Sequence, residues 1–220
     1  MRVLALLAAT VLVPLSAAAG LVVSYDGPPA GAISTALDGG SGANCSEAAR
    51  STADAGFQVS ANGAACIGYS GQFDFSDNGI WTGIPLIADA SGATTITIDL
   101  HGYFSYAGGF INYGISFDPE TLTVTANGND PIVTALDANM EIVDSYDIFE
   151  YHLGQWNDVN DGLYLGISSL DKSISYLQIS GSGIAISDIS VVAPEPGTGL
   201  LGALALVSLG LFVRSRRASL

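Results

Sequence analysis

The chain has 220 residues, 21 of them acidic and 6 basic, for a formal net charge of −15. That balance repels nucleic acid and anionic lipid headgroups, which excludes both as partners of its surface. The length leaves room for one domain with a sizeable core once the two ends are set aside.

Residues 1–19 read as a secretory signal peptide. Arg2 is the basic start, Val3 to Leu15 the apolar stretch, and Ala17-Ala18-Ala19 the small-residue cleavage site. Cleavage after Ala19 makes Gly20 the first residue of the exported body. The apolar stretch is 13 residues long, with Pro14 near its end. That is too short to cross a hydrocarbon core of about 30 Å.

The body covers residues 20–193, with a loop-rich start over 20–56. Leu21 to Tyr25 predicts a first strand. Pro28-Pro29 and the Gly-, Ser- and Ala-rich run to Ala43 predict loop. Glu47 to Asp54 has modest helical composition, enough for a turn or two. Cys45 and Cys66 are the only cysteines. Export places them in an oxidising compartment, so a disulfide closing their 22-residue loop is expected. It would stabilise by roughly 3 kcal/mol in the chain-entropy view. Free thiols are the alternative. Zinc would need more ligands, and His101 and His152 are distant in sequence.

From Phe57 onward short runs of Ile, Val, Thr, Tyr and Phe alternate with Gly, Asn and Asp breaks. Thr94 to Leu100 is the clearest strand, with Ile96, Ile98 and Leu100 on one face and Thr95, Thr97 and Asp99 on the other. Gly102 to Tyr106, Gly109 to Ser116 and the Leu122–Val124 run follow. Asn127-Gly128 marks a turn. Pro131 to Asp137 and Glu141 to Phe149 form the best hairpin candidate. Gly162 to Ser168, Ser173 to Ser180 and Gly183 to Val192 complete the set. The last two shift phase within themselves, which implies either burial on both faces or a bulge. About ten strands without a convincing helix define an all-β chain, a β-sandwich or jelly roll.

Several residues could carry chemistry. Asn157 to Gly162 packs four oxygen-bearing side chains together, and Asp158, Asn160 and Asp161 are the candidate ligands for calcium. A plain Asx-rich turn is the competing reading, because the EF-hand spacing is not met and no glutamate closes the loop. Asp74, Asp77 and Asn78 form a weaker cluster of the same kind. No other cofactor is implied. Trp81, Tyr103, Tyr106, Tyr113, Trp156 and Tyr164 could serve as sugar platforms, although such rings are ordinary sandwich-core residues. Trp156, beside the Asx-rich loop, is the preferred ligand-binding candidate. A pair of glycosidase carboxylates cannot be singled out among so many acids, and no G-x-S-x-G motif is present. The expectation is therefore a protein that is not an enzyme.

The tail is ordered in three parts. Pro194-Glu195-Pro196 is a stiff acidic break. Gly197 to Val213 is uncharged and apolar. Arg214, Arg216 and Arg217 hold half of the chain's basic residues. Seventeen residues make a helix of roughly 25 Å, at the short end of a bilayer span. Arginine is costly to carry through lipid, so the body lies outside and the tail end inside. A buried core helix with a basic end is the alternative. Without leader and tail, two basic residues face 20 acidic ones, a body near −18.

Residues 194–217, read as Pro-Glu-Pro, apolar helix and arginine cluster, resemble the PEP-CTERM sorting signal of exported bacterial proteins. The resemblance implies recognition by an exosortase-type membrane protease and transient anchoring through a transmembrane helix at about 197–213. It implies release to the cell surface or extracellular matrix and association with exopolysaccharide. Ala193 stands where many members have Val. Residues 81–192 more weakly resemble the jelly-roll bodies found with that tail, which are galactose-binding-like or lectin-like sandwiches. The matching pieces are Trp81 to Leu100, Phe110 to Tyr113, Val133 to Ala138, and Ser180 to Val191. The last piece ends in Ile186-Ser187-Asp188-Ile189, an element that often reads as a paired Asp in the resembling proteins, and Ser187 takes the first of those places here. A carbohydrate-binding module, calcium-dependent or not, is the alternative function.

Overall fold

The structure is a computed structural model that describes residues 19–24, 27–35, 52–54, 57–62, 65–69, 71–89, 94–151, 163–170 and 173–194. Among the described residues, seventeen strands run in chain order. The first five are β1 (Gly20–Ser24), β2 (Ile33–Thr35), β3 (Thr52–Asp54), β4 (Phe57–Ala61) and β5 (Ala65–Tyr69). Next come β6 (Phe73–Asp74), β7 (Ile80–Trp81), β8 (Leu86–Asp89), β9 (Thr94–Phe104), β10 (Tyr106–Tyr113) and β11 (Ile115–Asp118). The last six are β12 (Thr123–Ala126), β13 (Ile132–Leu136), β14 (Ile142–Asp147), β15 (Leu163–Ser168), β16 (Ile174–Gly181) and β17 (Ile184–Val192). A single 3₁₀ turn at Phe149–Tyr151 is the one helical element among the described residues. The expected all-β class holds. The modest helical composition of 47–54 does not carry to its end, because Thr52–Asp54 pairs with β4 instead.

Two antiparallel sheets share one core. Sheet A runs β1-β15-β10-β17-β8-β5, with β2 also pairing to β17. Sheet B runs β14-β13-β16-β9-β4-β3. Their inner faces meet in a cluster that joins Leu165, Ile167, Ile111 and Ile186 of sheet A to Ile96, Ile98, Leu177 and Ile179 of sheet B. Alternation explains which side chains enter it. In β9, Ile96, Ile98 and Leu100 are buried, while Thr95, Thr97 and Asp99 face outward. The hairpin expected over 131–149 is present, β13 against β14. Its turn is held by Asp137, whose Oδ1 accepts the N–H of Asn139 at 2.8 Å and of Glu141 at 3.0 Å.

The two strands with a phase shift both carry irregular pairing. In β16, Ile174 pairs with Phe104 but Tyr176 pairs with Asp99, so the stretch around His101 bulges out of β9. His101 has φ +52° there and is exposed. In β17 the pairing with β10 shifts between Gly108 and Phe110, leaving Asp188 at the bulge with φ +48°. That extra residue resets the alternation. Ile184 and Ile186 before it, and Ile189 and Val191 after it, all enter the same core. The outer side of β17 is buried too, through Ala185, Ser187 and Ser190.

The outer face of sheet A is covered. The β6–β7 hairpin lays Phe75 and Trp81 over Leu86, Ala88 and Ala185, a second small core. The outer face of sheet B stays polar. Ser60, Thr97, Gln178, Thr134 and Ser145 form a row across five strands. Gln178 donates to Thr97 at 3.0 Å, and the Thr134 and Ser145 hydroxyls bond at 2.7 Å.

Candidate functional site

Many residues singled out from the sequence lie outside the described residues. These are Trp156, Asp158, Asn160 and Asp161 of the acidic loop, Cys45, and Glu195, Pro196, Arg214, Arg216 and Arg217 of the tail. The apolar run 197–213 lies outside them as well. Among the described residues, no helix is long and apolar enough to cross a membrane. Pro194 is described, exposed and just beyond β17. Cys66 is buried on β5 and disulfide-bonded, and the sequence holds one other cysteine, Cys45.

The cluster at 74–78 serves the backbone. Asp74 accepts the Ser76 N–H at 2.8 Å, and Asp77 accepts the Phe117 N–H at 2.7 Å. Asn78 is buried and donates to Asn112 and to the Tyr113 carbonyl. Among the described residues, no group of three or more His, Cys, Asp or Glu side chains could hold a metal ion.

Of the aromatic candidates, Trp81, Tyr106, Tyr113 and Tyr164 are buried, and Tyr103 is 63% exposed. Tyr113 turns its hydroxyl to the carbonyls of Ile148 and Phe149, pinning the 3₁₀ turn. Tyr106 and Tyr164 stack at 6.5 Å on the outer face of sheet A, and Phe110 meets Tyr164 edge-on at 5.1 Å. Burial pushes both tyrosine hydroxyls above their ordinary pKa, and neither makes a well-formed hydrogen bond.

Next to this aromatic group lies a hollow of about 240 Å³, lined by Trp81, Ile84, Phe110, Ser187 and Asp188. The β17 bulge builds it. Two residues of β17 oppose Gly109 of β10, and the extra residue aims Asp188 outward. Ser187 is fixed by donating to the Pro85 carbonyl at 2.8 Å. Asp188 is partly buried, and the lost hydration raises its carboxyl above the ordinary value. A non-glycine residue at positive φ, a bulge and a desolvated carboxylate coincide here, a combination that concentrates at functional sites. Chemically, the carboxylate can accept hydrogen bonds from a ligand whose apolar face packs on Phe110 and Ile84. The hollow is smaller than the roughly 300–1,000 Å³ of drug-sized sites, so it suits a single small ring.

Ile84 and Phe110 escaped selection from the sequence, and Asp188 entered only within the 186–189 element. The phase shift within 183–192 was the available signal, because the residue that breaks the alternation is the one the bulge turns outward.

No family model matches the chain, and neither a curated protein nor a solved structure matches it.

Proposed function

We propose that the chain is an exported, non-enzymatic surface or matrix protein, anchored transiently by its tail, cut by an exosortase-type protease and retained with extracellular polysaccharide. Its body is a jelly roll of galactose-binding-like or lectin-like type. The observation that supports this reading is where the first and last strands among the described residues begin and end. Gly20 opens β1 directly after the expected leader cleavage site, and β17 ends at Val192, two residues before Pro194. Gly20 pairs with Ser168, Ser168 with Tyr106, and Tyr106 with Val192. Both ends therefore leave the same end of sheet A, three strand spacings or about 14 Å apart. That arrangement lets a body held to a membrane by its tail keep both ends on its membrane-facing side. Replacing Arg214, Arg216 and Arg217 by Ser tests it. Loss of membrane retention and sorting is expected, and unchanged location would contradict the tail's role.

The Asp188 hollow favours a second reading, a carbohydrate-binding module that takes one sugar ring there. Retardation of the protein in polysaccharide gels, compared with the Asp188→Asn variant and with and without EDTA, tests that reading. Equal mobility in every gel would remove it. Slowing abolished by EDTA would restore the calcium alternative at Asp158, Asn160 and Asp161.

A further inference from the structure

Among the described residues, exposed large apolar side chains are unevenly placed. Leu170 is 74% exposed and lies just beyond Ser168, where the Ser169 N–H donates to the Ser105 carbonyl at 2.7 Å. Tyr103 precedes Phe104, the partner of Ile174 at the same end of sheet B. Ile33 stands opposite Val191. Met140 is in the β13–β14 turn, and Ile142 opens β14 opposite Leu136, which pairs on its other side with Tyr176. That turn reaches the β9 bulge, since Ala138 and Tyr103 line one shallow hollow. All five residues thus sit at the end of the molecule where Gly20 enters and Val192 leaves. Among the described residues, the other exposed large apolar side chains are Leu122 and Ile132. Ile132 pairs with Ser180 near the opposite end of sheet B, and Leu122 lies beyond β11, which continues β10 away from Tyr106.

The tail limits how far this end can stand from lipid. Four residues, Ala193 to Pro196, separate β17 from the apolar run, and an extended chain covers at most about 3.3–3.6 Å per residue. The gap is therefore at most roughly 14 Å, so this end stands within about 9 Å of a headgroup region that is itself about 5–8 Å deep on each side of the hydrocarbon core. Asp137, Glu141 and Asp99 lie near this rim, and the described residues contain no Lys or Arg. Anionic headgroups are disfavoured, and zwitterionic ones are accommodated. Tyrosine and aliphatic side chains suit that interfacial layer.

We propose that this end of the sandwich is a membrane-docking rim that rests in zwitterionic headgroups while the tail is anchored, with Leu170, Met140, Ile142 and Tyr103 touching lipid. The proposal rests on the reading of 197–213 as a membrane helix. Docking would hold the body upright and present the Pro-Glu-Pro break at a fixed height to a membrane protease.

The test uses the full chain in phosphatidylcholine vesicles, with a polarity-sensitive bimane label on Leu170→Cys, Met140→Cys or, as a far-end control, Leu122→Cys. Leu122 is 76% exposed, so the control begins as accessible as Leu170. The expected result is a blue shift at 170 and 140, and loss of most of that emission in vesicles of brominated lipid. Position 122 should stay unshifted and unquenched. Vesicle-bound protein with no quenching at 170 and 140 would overturn docking and leave the tail reading intact. A blue shift without quenching would assign the rim to a second copy of the chain instead. Failure of the protein to float with vesicles at all would overturn both readings.

Discussion

Asn78 and Asn112 grip each other in a buried site, each amide nitrogen donating to an oxygen of the other residue. Asn78 Nδ2 lies 2.6 Å from Asn112 Oδ1, and Asn112 Nδ2 lies 3.2 Å from the Asn78 carbonyl. Asn112 Oδ1 also accepts the Tyr113 N–H at 2.9 Å. The pair ties the β6–β7 turn to β10 and so fixes the cover over sheet A. Asn112→Ala leaves a buried amide with fewer partners, which costs about 1–3 kcal/mol. Urea unfolding should show that loss. In a Trp156→Phe background Trp81 is the sole indole, and its emission should shift to the red as the cover loosens.

The Asp188 carboxyl has a raised pKa in the folded protein because burial disfavours its charge. The folded state therefore holds the proton more tightly than the unfolded chain. The linked stability is complete below the unfolded pKa and declines as pH rises through the folded one. Tyr164, whose own pKa is raised partly by the Asp188 charge, is the titratable neighbour. Asp188→Asn keeps a side chain that tolerates positive φ and removes the charge. The variant should melt like the parent at about pH 3, below the ordinary Asp pKa of about 3.9. It should melt a few degrees higher at neutral pH. Thermal melts across that range check it, and a variant that melts lower at neutral pH would show the charge to be stabilising.

Tyr106 lies across two glycines of sheet A, and the close approach is possible only without side chains there. A Cβ on Gly166 would fall 2.4 Å from the Tyr106 hydroxyl and 2.6 Å from the Ala107 carbonyl. Gly166→Ala should therefore cost at least about 1–3 kcal/mol, since the backbone as well as the ring must move. Tyr106→Phe removes a buried hydroxyl that has no well-formed hydrogen bond, so stability should be unchanged or higher. Denaturant midpoints of the two variants should move in opposite directions or, for Tyr106→Phe, not at all.

The sheets were legible wherever one face meets the core and the other meets water. Ile96, Ile98 and Leu100 show this, as does the 131–149 hairpin with its Asp137 turn. β2 was hidden because Ile33–Thr35 is only three residues long inside a Gly- and Ala-rich run. Its pairing is supplied by β17 and not by its own pattern. The division into β9, β10 and β11 was blurred by Gly102, Gly108, Gly109 and Gly114, which weaken alternation wherever rings and strands approach closely. The hollow was the least legible part. Ile84, Phe110 and Asp188 are separated by 26 and 78 residues, and only the pairing of β10 with β17 brings the last two together.

In the proposed reading the exported body is bounded by two processing points, and intact mass spectrometry of the mature protein under non-reducing conditions would locate both. The expected result is a first residue of Gly20, a last residue at or near Pro194–Pro196, and a mass lowered by two hydrogens for the Cys66 disulfide. A mature mass that includes residues 1–19, or that still carries Gly197 to Leu220 with its arginines in cells making the processing protease, would contradict it.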